Sequence, residues 1–338
     1  MKVAVLTVAT PGGNLGGAHR FYLGLEQALN AVPGVTAERV EVVSDERTFQ
    51  HVEESYLRAY DLDLSRFDAV ISTKAPGYVV RHPNHVCYLL HTMRVFYDMF
   101  DAESDATPQR LQQRALIQQL DTAALQFPRT RAVFAIGHEV RRRLLEHNGV
   151  DCEVLHPALA LEGLREGAYE YALLPGRLHR WKRVDLVIRA MRLVRRPLRL
   201  LIAGSGEDEE ALRALAAGDE RIRFLGTVSD RELLDLYADA LVVPFPPIRE
   251  DYGLVAIEAL ACKKPVITCR DSGEPALLVR DGETGFVVEP APEAIAEKLE
   301  YFHDHPDAAR SMGQAGPWSL RDIRWEHVTA SLLEAVSA

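Results

Sequence analysis

The sequence predicts an α/β protein made of two doubly wound, Rossmann-like domains, and three observations lead to this prediction. The chain has 338 residues, which is enough for two domains of ordinary size, each with its own core. An apolar, β-branched run at 3–8 is followed by a glycine-rich loop at 11–17 and by helical spacing at 18–29. The same order begins again after the apolar run at 171–174, so each half starts with the strand, loop and helix of a doubly wound sheet.

In the first half, apolar runs predict further strands at 35–43, 69–72, 86–90, 132–136 and 152–155, and helical patterns predict helices at 53–60, 108–125 and 138–147. The loop at 11–17 does not spell G-x-G-x-x-G, and no acidic residue is well placed after the second strand, which disfavours a dinucleotide-dependent oxidoreductase. Gly16 and Gly17 in this loop either line a ligand cleft or form a tight turn without a ligand.

In the second half, strands are predicted at 198–203, 222–225, 241–245, 265–269 and 286–288. Helices are predicted at 184–193, from 229 or 230 onward, and at 291–302, 308–312 and 328–336. The charged, glycine-containing segment 162–168 is short of large apolar residues, which is typical of a linker between domains.

Composition excludes several classes of protein. The net charge of −10 argues against a general nucleic-acid binder. No apolar run approaches the roughly 20 residues of a membrane span, so a cytoplasmic protein is expected, with peripheral contact at the inner face of the membrane left open.

Arginines at 141–143 and 189–199 form either solvated helix faces or a basic rim for anionic lipid. Four cysteines lie far apart without a C-x-x-C pair, which indicates free thiols: Cys87, Cys152, Cys262 and Cys269.

The stretch from Glu250 to Glu258 carries the strongest chemical signal. Two carboxylates bracket a turn and the start of an apolar helix, and Gly253 lets a ligand approach the backbone. The N–H groups of Gly253, Leu254 and Val255 would face that ligand, and a helix N-terminus of this kind attracts phosphate. Carboxylates beside a phosphate site suit neutral sugar hydroxyls, because one carboxylate can accept hydrogen bonds from two of them.

A second segment, Gly176-Arg-Leu-His-Arg-Trp-Lys182, lies between the apolar run 171–174 and the helix pattern 184–193. Arg177 offers a planar fork to phosphate oxygens, and Lys182 offers a mobile point charge. Together, the two segments supply cations and helix amides for a diphosphate and carboxylates for sugars.

This combination resembles the retaining glycosyltransferases of family GT4, which have the GT-B fold. The runs EDYGLVAIEALACKKPVIT at 250–268 and DSGEPALLVRDGETGFVV at 271–288 are similar to the donor domain of that family. The resemblance implies two Rossmann-like domains that face each other across a cleft. It also implies an acceptor domain at 1–163, a donor domain at 164–318 and a terminal helix at 319–338 that returns to the first domain.

The resemblance also implies roles for individual residues. Arg177 and Lys182 would stabilise the leaving β-phosphate, Glu258 would hold the ribose and Glu250 the transferred sugar. His91, directly after the strand at 86–90, would approach the donor sugar. The family motif continues with an arginine, an aromatic residue and an aspartate, but here the spacing to Arg94, Tyr97 and Asp98 is one residue short. Further contacts to the donor are implied for Gly204, Val228, Gly16 and Gly17.

The reaction expected from this resemblance is metal-independent transfer of a hexose from a nucleoside diphosphate sugar, with no cofactor beyond the donor. Mannose from GDP-mannose and cell-surface polysaccharide synthesis are associations of similar subfamilies. The acceptor stays open between a glycan, a lipid-linked molecule and a small molecule, and so does the oligomeric state. Alternatives are an inverting GT-B transferase, a sugar-nucleotide epimerase and a non-catalytic nucleotide-sugar-binding subunit.

Overall fold

The computed structural model of the chain describes residues 1–9, 17–103 and 105–337, so Gly16 lies outside the described residues. Contacts between residues divide the chain into two compact units. The first unit comprises Met1–Ala160 and Ile323–Ala338, and the second comprises Leu161–Asp322.

The first unit contains a six-stranded parallel sheet with the strand order β2-β1-β3-β4-β5-β6. Its strands are β1 (Lys2–Ala9), β2 (Thr36–Val43), β3 (Ala69–Ser72), β4 (His85–Leu89), β5 (Ala132–Ala135) and β6 (Glu153–Val154). The central strands are buried on both faces, since Val3 to Leu6 are fully covered. A parallel sheet requires this cover, because crossover helices lie on both of its faces.

Helices cover the first sheet, and a late helix joins them. They are α1 (Gly17–Asn30), α2 (Phe49–Tyr60), α3 (Phe100–Glu103), α4 (Pro108–Leu125), α5 (His138–Asn148) and α13 (Trp325–Ser337). Two short 3-10 helices, Gly77–Val79 and Arg94–Phe96, lie between β3 and α3. At Gly24 of α1, a Cβ atom would lie 2.5 Å from the Trp325 ring, so the glycine allows α13 to pack closely.

The second unit contains another six-stranded parallel sheet, with the order β12-β11-β10-β7-β8-β9. Its strands are β7 (Tyr171–Pro175), β8 (Leu200–Ala203), β9 (Ile222–Gly226), β10 (Ala240–Pro244), β11 (Val266–Cys269) and β12 (Gly285–Val288). Alternate residues of β7 enter different cores: Ala172 and Leu174 belong to one apolar cluster, and Tyr171 and Leu173 belong to the other. Both faces of this sheet are therefore covered, and the predicted doubly wound fold is confirmed for both units.

The helices of the second unit are α6 (Val184–Leu193), α7 (Glu209–Ala216), α8 (Asp230–Asp239), α9 (Leu254–Ala261), α10 (Glu274–Leu278), α11 (Pro292–Asp304) and α12 (Pro306–Ser319). The prediction for α12, 308–312, was too short. Gly313 and Gly316 interrupt its apolar pattern, but a Cβ atom there would lie 2.0 Å from the Lys263 carbonyl oxygen and 2.4 Å from that of Leu260. These glycines let α12 pack against the end of α9, and the contact keeps the helix intact despite their low helix propensity.

The expectations for membrane spans and for the cysteines can be compared with the structure. No helix within the described residues is both long enough and apolar enough to span a membrane. All four cysteines are free thiols, and Cys152 is the one that is only partly buried.

Candidate functional site

The second sheet reverses its strand order between β7 and β10. From β7 the chain runs outward through β8 and β9, and it then returns to β10 on the other side of β7. Ligands of open α/β sheets bind at such a reversal, at the carboxyl ends of the strands. The loop that carries Arg177 and Lys182 follows β7, and the loop that carries Glu250 and Gly253 follows β10. The topology therefore brings the two segments singled out in the sequence to one place.

Helix α9 begins at this reversal with its amino end open. Gly253 precedes it with φ = 85°, a left-handed conformation that favours glycine, and a Cβ atom there would lie 2.6 Å from Pro275. No side chain of the described residues caps the helix, and Leu254 and Val255 in its first turn are half-buried. The unpaired amides and the helix dipole make this end suitable for an anion.

Lys182 and Glu250 form an ion pair beside this helix end. The Lys182 ammonium donates to both carboxylate oxygens of Glu250 at 2.7 and 2.6 Å. The side chains are 27% and 17% exposed, so both charges remain within reach of a ligand. The predicted phosphate-binding cation and the predicted sugar-binding carboxylate thus contact each other directly.

Backbone hydrogen bonds hold this pair in place. The Ile248 N–H donates to the Trp181 carbonyl at 2.7 Å, which joins the two loops. On the other side, the Glu250 N–H donates to the Ser272 carbonyl at 2.8 Å, and the Glu274 N–H donates to the Glu250 carbonyl at 3.0 Å. The 271–274 turn, hereafter the clamp turn, therefore fixes the backbone of Glu250.

The clamp turn and its partner Arg183 are site residues that the sequence reasoning missed. Gly273 has φ = 74°, and a Cβ atom there would lie 2.6 Å from the Glu250 carbonyl oxygen. Arg183 donates to the Asp271 carboxylate at 2.8 Å, and the Arg249 N–H donates to the Asp271 carbonyl at 2.9 Å. The available signal was Asp-Ser-Gly after a predicted strand, which indicates a tight turn at the same sheet edge as Glu250.

Glu258 lies deeper, on α9. Its side chain is only 3% exposed, and it accepts a hydrogen bond of 2.8 Å from the Tyr237 hydroxyl. A buried carboxylate requires such donors, and a hydrogen bond of this kind holds its orientation. Tyr237 is a second residue that sequence reasoning missed, because it lies on α8 and no motif links it to Glu258.

Arg177 lies at the rim of this site. Its side chain is 69% exposed, and its guanidinium donates to Glu207 at 3.1 and 3.2 Å. Burial lowers the pKa of the neighbouring His179. Burial raises the pKa of Glu207, but its own backbone N–H and Arg177 more than offset this effect, so the pKa is lowered overall. Arg177 is therefore available to an anion that displaces Glu207.

Gly204 and Val228 occupy neighbouring loops of the second unit. Gly204 has φ = 138°, and a Cβ atom there would lie 1.9 Å from the Gly176 carbonyl oxygen. The Leu178 N–H donates to the Ser205 carbonyl at 3.0 Å, so the loop after β8 supports the loop that carries Arg177. Val228 follows β9, is half-buried and packs against the second apolar cluster.

In the first unit, the structure describes Gly17 as the exposed first residue of α1. His91 follows β4, is half-buried and has its Nδ1 atom 2.8 Å from the Thr92 carbonyl oxygen. Asp98 accepts from Arg94 at 2.7 Å, and its carboxylate lies 2.8 Å from the Arg143 Nε atom. Burial raises the pKa of Asp98, but Arg143 and Arg94 outweigh that effect and lower it.

Comparisons with known proteins identify a family model and relatives that are similar to this chain. The family model described as "Glycosyl transferases group 1" matches residues 162–317. The D-inositol 3-phosphate glycosyltransferase of Streptomyces scabiei is 34% identical over 213 residues, which cover 57% of this chain and 48% of the relative. The protein of that name from Nocardia farcinica is 34% identical over 230 residues, or 59% and 51% of the two chains. This chain thus spans about half the length of these curated relatives.

Solved structures match nearly the whole chain at low sequence identity. Sucrose-phosphate synthase from Thermosynechococcus elongatus has a TM-score of 0.77 at 19% identity and covers 98% of this chain and 97% of its own. Anabaena Alr3699/HepE in complex with UDP and glucose has a TM-score of 0.74 at 14% identity, with 100% and 99% covered. These likenesses identify the fold of this chain.

Proposed function

We propose that this chain is a glycosyltransferase of family GT4, with the GT-B fold, and that it transfers a hexose from a nucleoside diphosphate sugar with retention of configuration. The observation that carries the proposal is the Lys182–Glu250 ion pair beside the open amino end of α9. A cation, helix amides and a carboxylate within one loop cluster suit a ligand that combines a diphosphate with a sugar.

In this proposal the leaving group is the nucleoside diphosphate. Lys182 and Arg177 neutralise the charge that develops on the β-phosphate, and the amides of Gly253, Leu254 and Val255 donate to its oxygens. Glu250 accepts hydrogen bonds from hydroxyls of the transferred sugar. Glu258, oriented by Tyr237, accepts from the ribose hydroxyls. Gly204 and Val228, on neighbouring loops of the second unit, contact the nucleotide in this proposal.

Retention is proposed to proceed by attack of the acceptor hydroxyl on the face from which the phosphate leaves. The leaving phosphate can then take the proton of that hydroxyl, so the reaction needs neither a carboxylate base nor a metal. An inverting transferase or an epimerase would need a well-placed base in the first unit. A non-catalytic subunit would have no need to retain both Lys182 and Glu250.

Neither the nucleobase of the donor nor the acceptor molecule is specified by the residues described above. Anabaena Alr3699/HepE forms a complex with UDP and glucose, and the curated relatives are named D-inositol 3-phosphate glycosyltransferases, so UDP donors and D-inositol 3-phosphate belong in a substrate panel. Mannose and a GDP donor, a glycan and a lipid-linked acceptor complete that panel. We propose a cytoplasmic site of action.

The first test is thermal unfolding of the chain with UDP, GDP and ADP, each compared with its monophosphate. A ligand at 100 times its dissociation constant stabilises the folded state by about 2.7 kcal/mol, which shifts the midpoint visibly. We expect one diphosphate to stabilise the chain and Lys182→Met to weaken that effect. If no diphosphate raises the midpoint, or if Lys182→Met responds like the wild type, the proposed donor site is wrong.

A further inference from the structure

The two residues that flank the Lys182–Glu250 pair have a left-handed backbone. Arg183, directly after Lys182, has φ = 50°, and Arg249, directly before Glu250, has φ = 46°. In the part of the chain that the structure describes, they are two of three non-glycine residues with a positive φ, and Lys263 is the third. This conformation is unfavourable for residues other than glycine, and it persists only where surrounding contacts hold it.

Asp271 of the clamp turn contacts both of these arginines. Its carboxylate accepts two hydrogen bonds from the Arg183 guanidinium, one of them from Nη1 to Oδ1 at 2.8 Å. Its backbone carbonyl accepts a hydrogen bond of 2.9 Å from the Arg249 N–H. A single residue, 88 positions after Arg183 in the sequence, therefore holds both left-handed turns.

The Arg183–Asp271 pair differs from an ordinary surface ion pair. The side chain of Arg183 is only 17% exposed, and that of Asp271 is 43% exposed. The exposed pair of Arg196 and Asp304 in the same unit joins two residues that have negative φ. Glycine would adopt φ = 50° without strain at position 183, but it could not reach Asp271. Arginine thus provides this contact at the expense of backbone strain.

The two ion pairs also differ in how a ligand would affect them. A diphosphate at the amino end of α9 would attract the Lys182 ammonium and separate it from Glu250. The contacts of Asp271 involve neither of these side chains, so they would remain when that pair opens. The backbone on both sides of the pair would then keep its position while Lys182 changes its partner.

We propose that Asp271 is a positioning residue for the transfer reaction, because it holds the two turns that orient Lys182 and Glu250. Through Arg183, it fixes the backbone from which the Lys182 ammonium reaches the diphosphate. Through Arg249, it fixes the backbone from which the Glu250 carboxylate reaches the sugar. The inference rests on the proposed function, because it concerns the donor site of that same reaction.

The test is calorimetric titration of the full chain with the nucleoside diphosphate that stabilises the wild type. Asp271→Asn keeps the backbone carbonyl but removes the charge that binds Arg183, and it should weaken binding about tenfold. Arg183→Gly removes the same link and should weaken binding to a similar extent. Because glycine adopts the left-handed conformation without strain, this second variant should fold even if Asp271→Asn does not.

A cycle of variants with Lys182→Met separates positioning from a general role in folding. Lys182→Met has no ammonium left to orient, so the addition of Asp271→Asn should weaken the remaining binding less than about twofold. A role in folding alone would weaken binding by the same factor with and without Lys182. The matched control is Asp304→Asn, which breaks the exposed pair with Arg196 and should leave binding unchanged.

The inference is overturned if Asp271→Asn and Arg183→Gly bind the nucleoside diphosphate like the wild type, or if Asp271→Asn weakens binding equally with and without Lys182. It is also overturned if Asp271→Asn strengthens binding while Arg183→Gly weakens it, because Arg183 would then bind the phosphate itself. If no nucleoside diphosphate binds the wild type, the proposed function is wrong and the inference fails with it. The two failures are distinguishable, since the wild type shows the second and only the variants show the first.

Discussion

At the scale of single residues, the ion pair of Lys182 and Glu250 keeps two reactive charges oriented before a donor arrives. Each half-buried group satisfies the other, so neither is left unpaired. A diphosphate would attract Lys182 and free Glu250 to accept sugar hydroxyls. The two side chains therefore contact each other in the absence of the donor. In the proposed reaction, Lys182 binds the diphosphate and Glu250 binds the sugar.

This arrangement predicts different effects on binding and on turnover. Glu250→Gln should reduce transfer from the nucleotide sugar about a hundredfold or more, because a hydrogen-bond acceptor for the reacting sugar is weakened. Binding of the free nucleoside diphosphate should persist, since Lys182 is then available to phosphate. Released nucleoside diphosphate measures turnover, and calorimetry measures binding.

The matched control is Glu297→Gln, which removes a carboxylate from the exposed Lys298–Glu297 pair of the same unit. It should leave both quantities unchanged. Wild-type turnover in Glu250→Gln would remove Glu250 from the proposed reaction.

At the scale of elements, loops support one another through glycines at points of close contact. Gly204→Ala should destabilise the chain by about 3 kcal/mol or more, because its Cβ atom would lie 1.9 Å from the Gly176 carbonyl oxygen at a positive φ. It should also weaken nucleoside diphosphate binding, since the displaced loop carries Arg177. Urea unfolding and calorimetry measure the two effects.

Gly218→Ala separates backbone strain from this contact. Gly218 also has a positive φ, 89°, but no heavy atom lies within 4 Å of the added Cβ position. Gly218→Ala should lower the free energy of unfolding by about 1 kcal/mol and leave nucleoside diphosphate binding unchanged. Equal effects of the two alanines would show that the contact with Gly176 has no energetic role.

A buried carboxylate joins several elements of the first unit. Asp121 of α4 accepts hydrogen bonds of 2.6 Å from Tyr56 of α2 and from Tyr97, which follows the second 3-10 helix. Burial raises the pKa of Asp121 to about 6, although the tyrosine hydroxyls oppose this shift. Because the pKa is raised in the folded state, protonation favours folding, and this contribution is lost as the pH rises through about 6.

Comparison with Asp121→Asn isolates this titration. Between pH 7 and pH 5 the wild type should gain about 1 kcal/mol of unfolding free energy relative to the variant, because the carboxyl becomes protonated over this range. Urea unfolding of both proteins at the two pH values gives the difference, and other titrating groups cancel. If the difference in unfolding free energy between the two proteins is the same at both pH values, Asp121 does not titrate between pH 5 and pH 7 and the prediction is wrong.

At the scale of the whole molecule, the chain is acidic, with a net charge of −10, yet the proposed ligands are anions. Many of its arginines are paired with nearby carboxylates, as Arg196 is with Asp304 at 2.7 Å and Arg199 with Glu170 at 3.2 Å. Lys182 lies where the second sheet reverses its strand order. Location, rather than net charge, therefore concentrates positive charge where anions are proposed to bind.

The family match also differs between the two units. The family model covers residues 162–317, which lie within the second unit. A family whose members share the type of donor but differ in acceptor would be matched in this way, through the unit that is proposed to bind the donor.

The sequence by itself determined the elements and their order. The predicted bounds of β3 (Ala69–Ser72), α4 (Pro108–Leu125) and α6 (Val184–Leu193) agree with the structure. Periodicity and turn residues act over a few neighbouring residues, so these features are local. The motif around Glu250 and Glu258 was also readable, because its residues lie on one loop and one helix.

Only the tertiary structure decided which side chains meet. Lys182 and Glu250 are 68 residues apart, and they contact each other because β7 and β10 are adjacent in the sheet. The same applies to Tyr237 and Glu258, and to the glycines that keep α12 intact beyond its predicted end. Local patterns specify elements, whereas the order of strands in a parallel sheet depends on long-range packing.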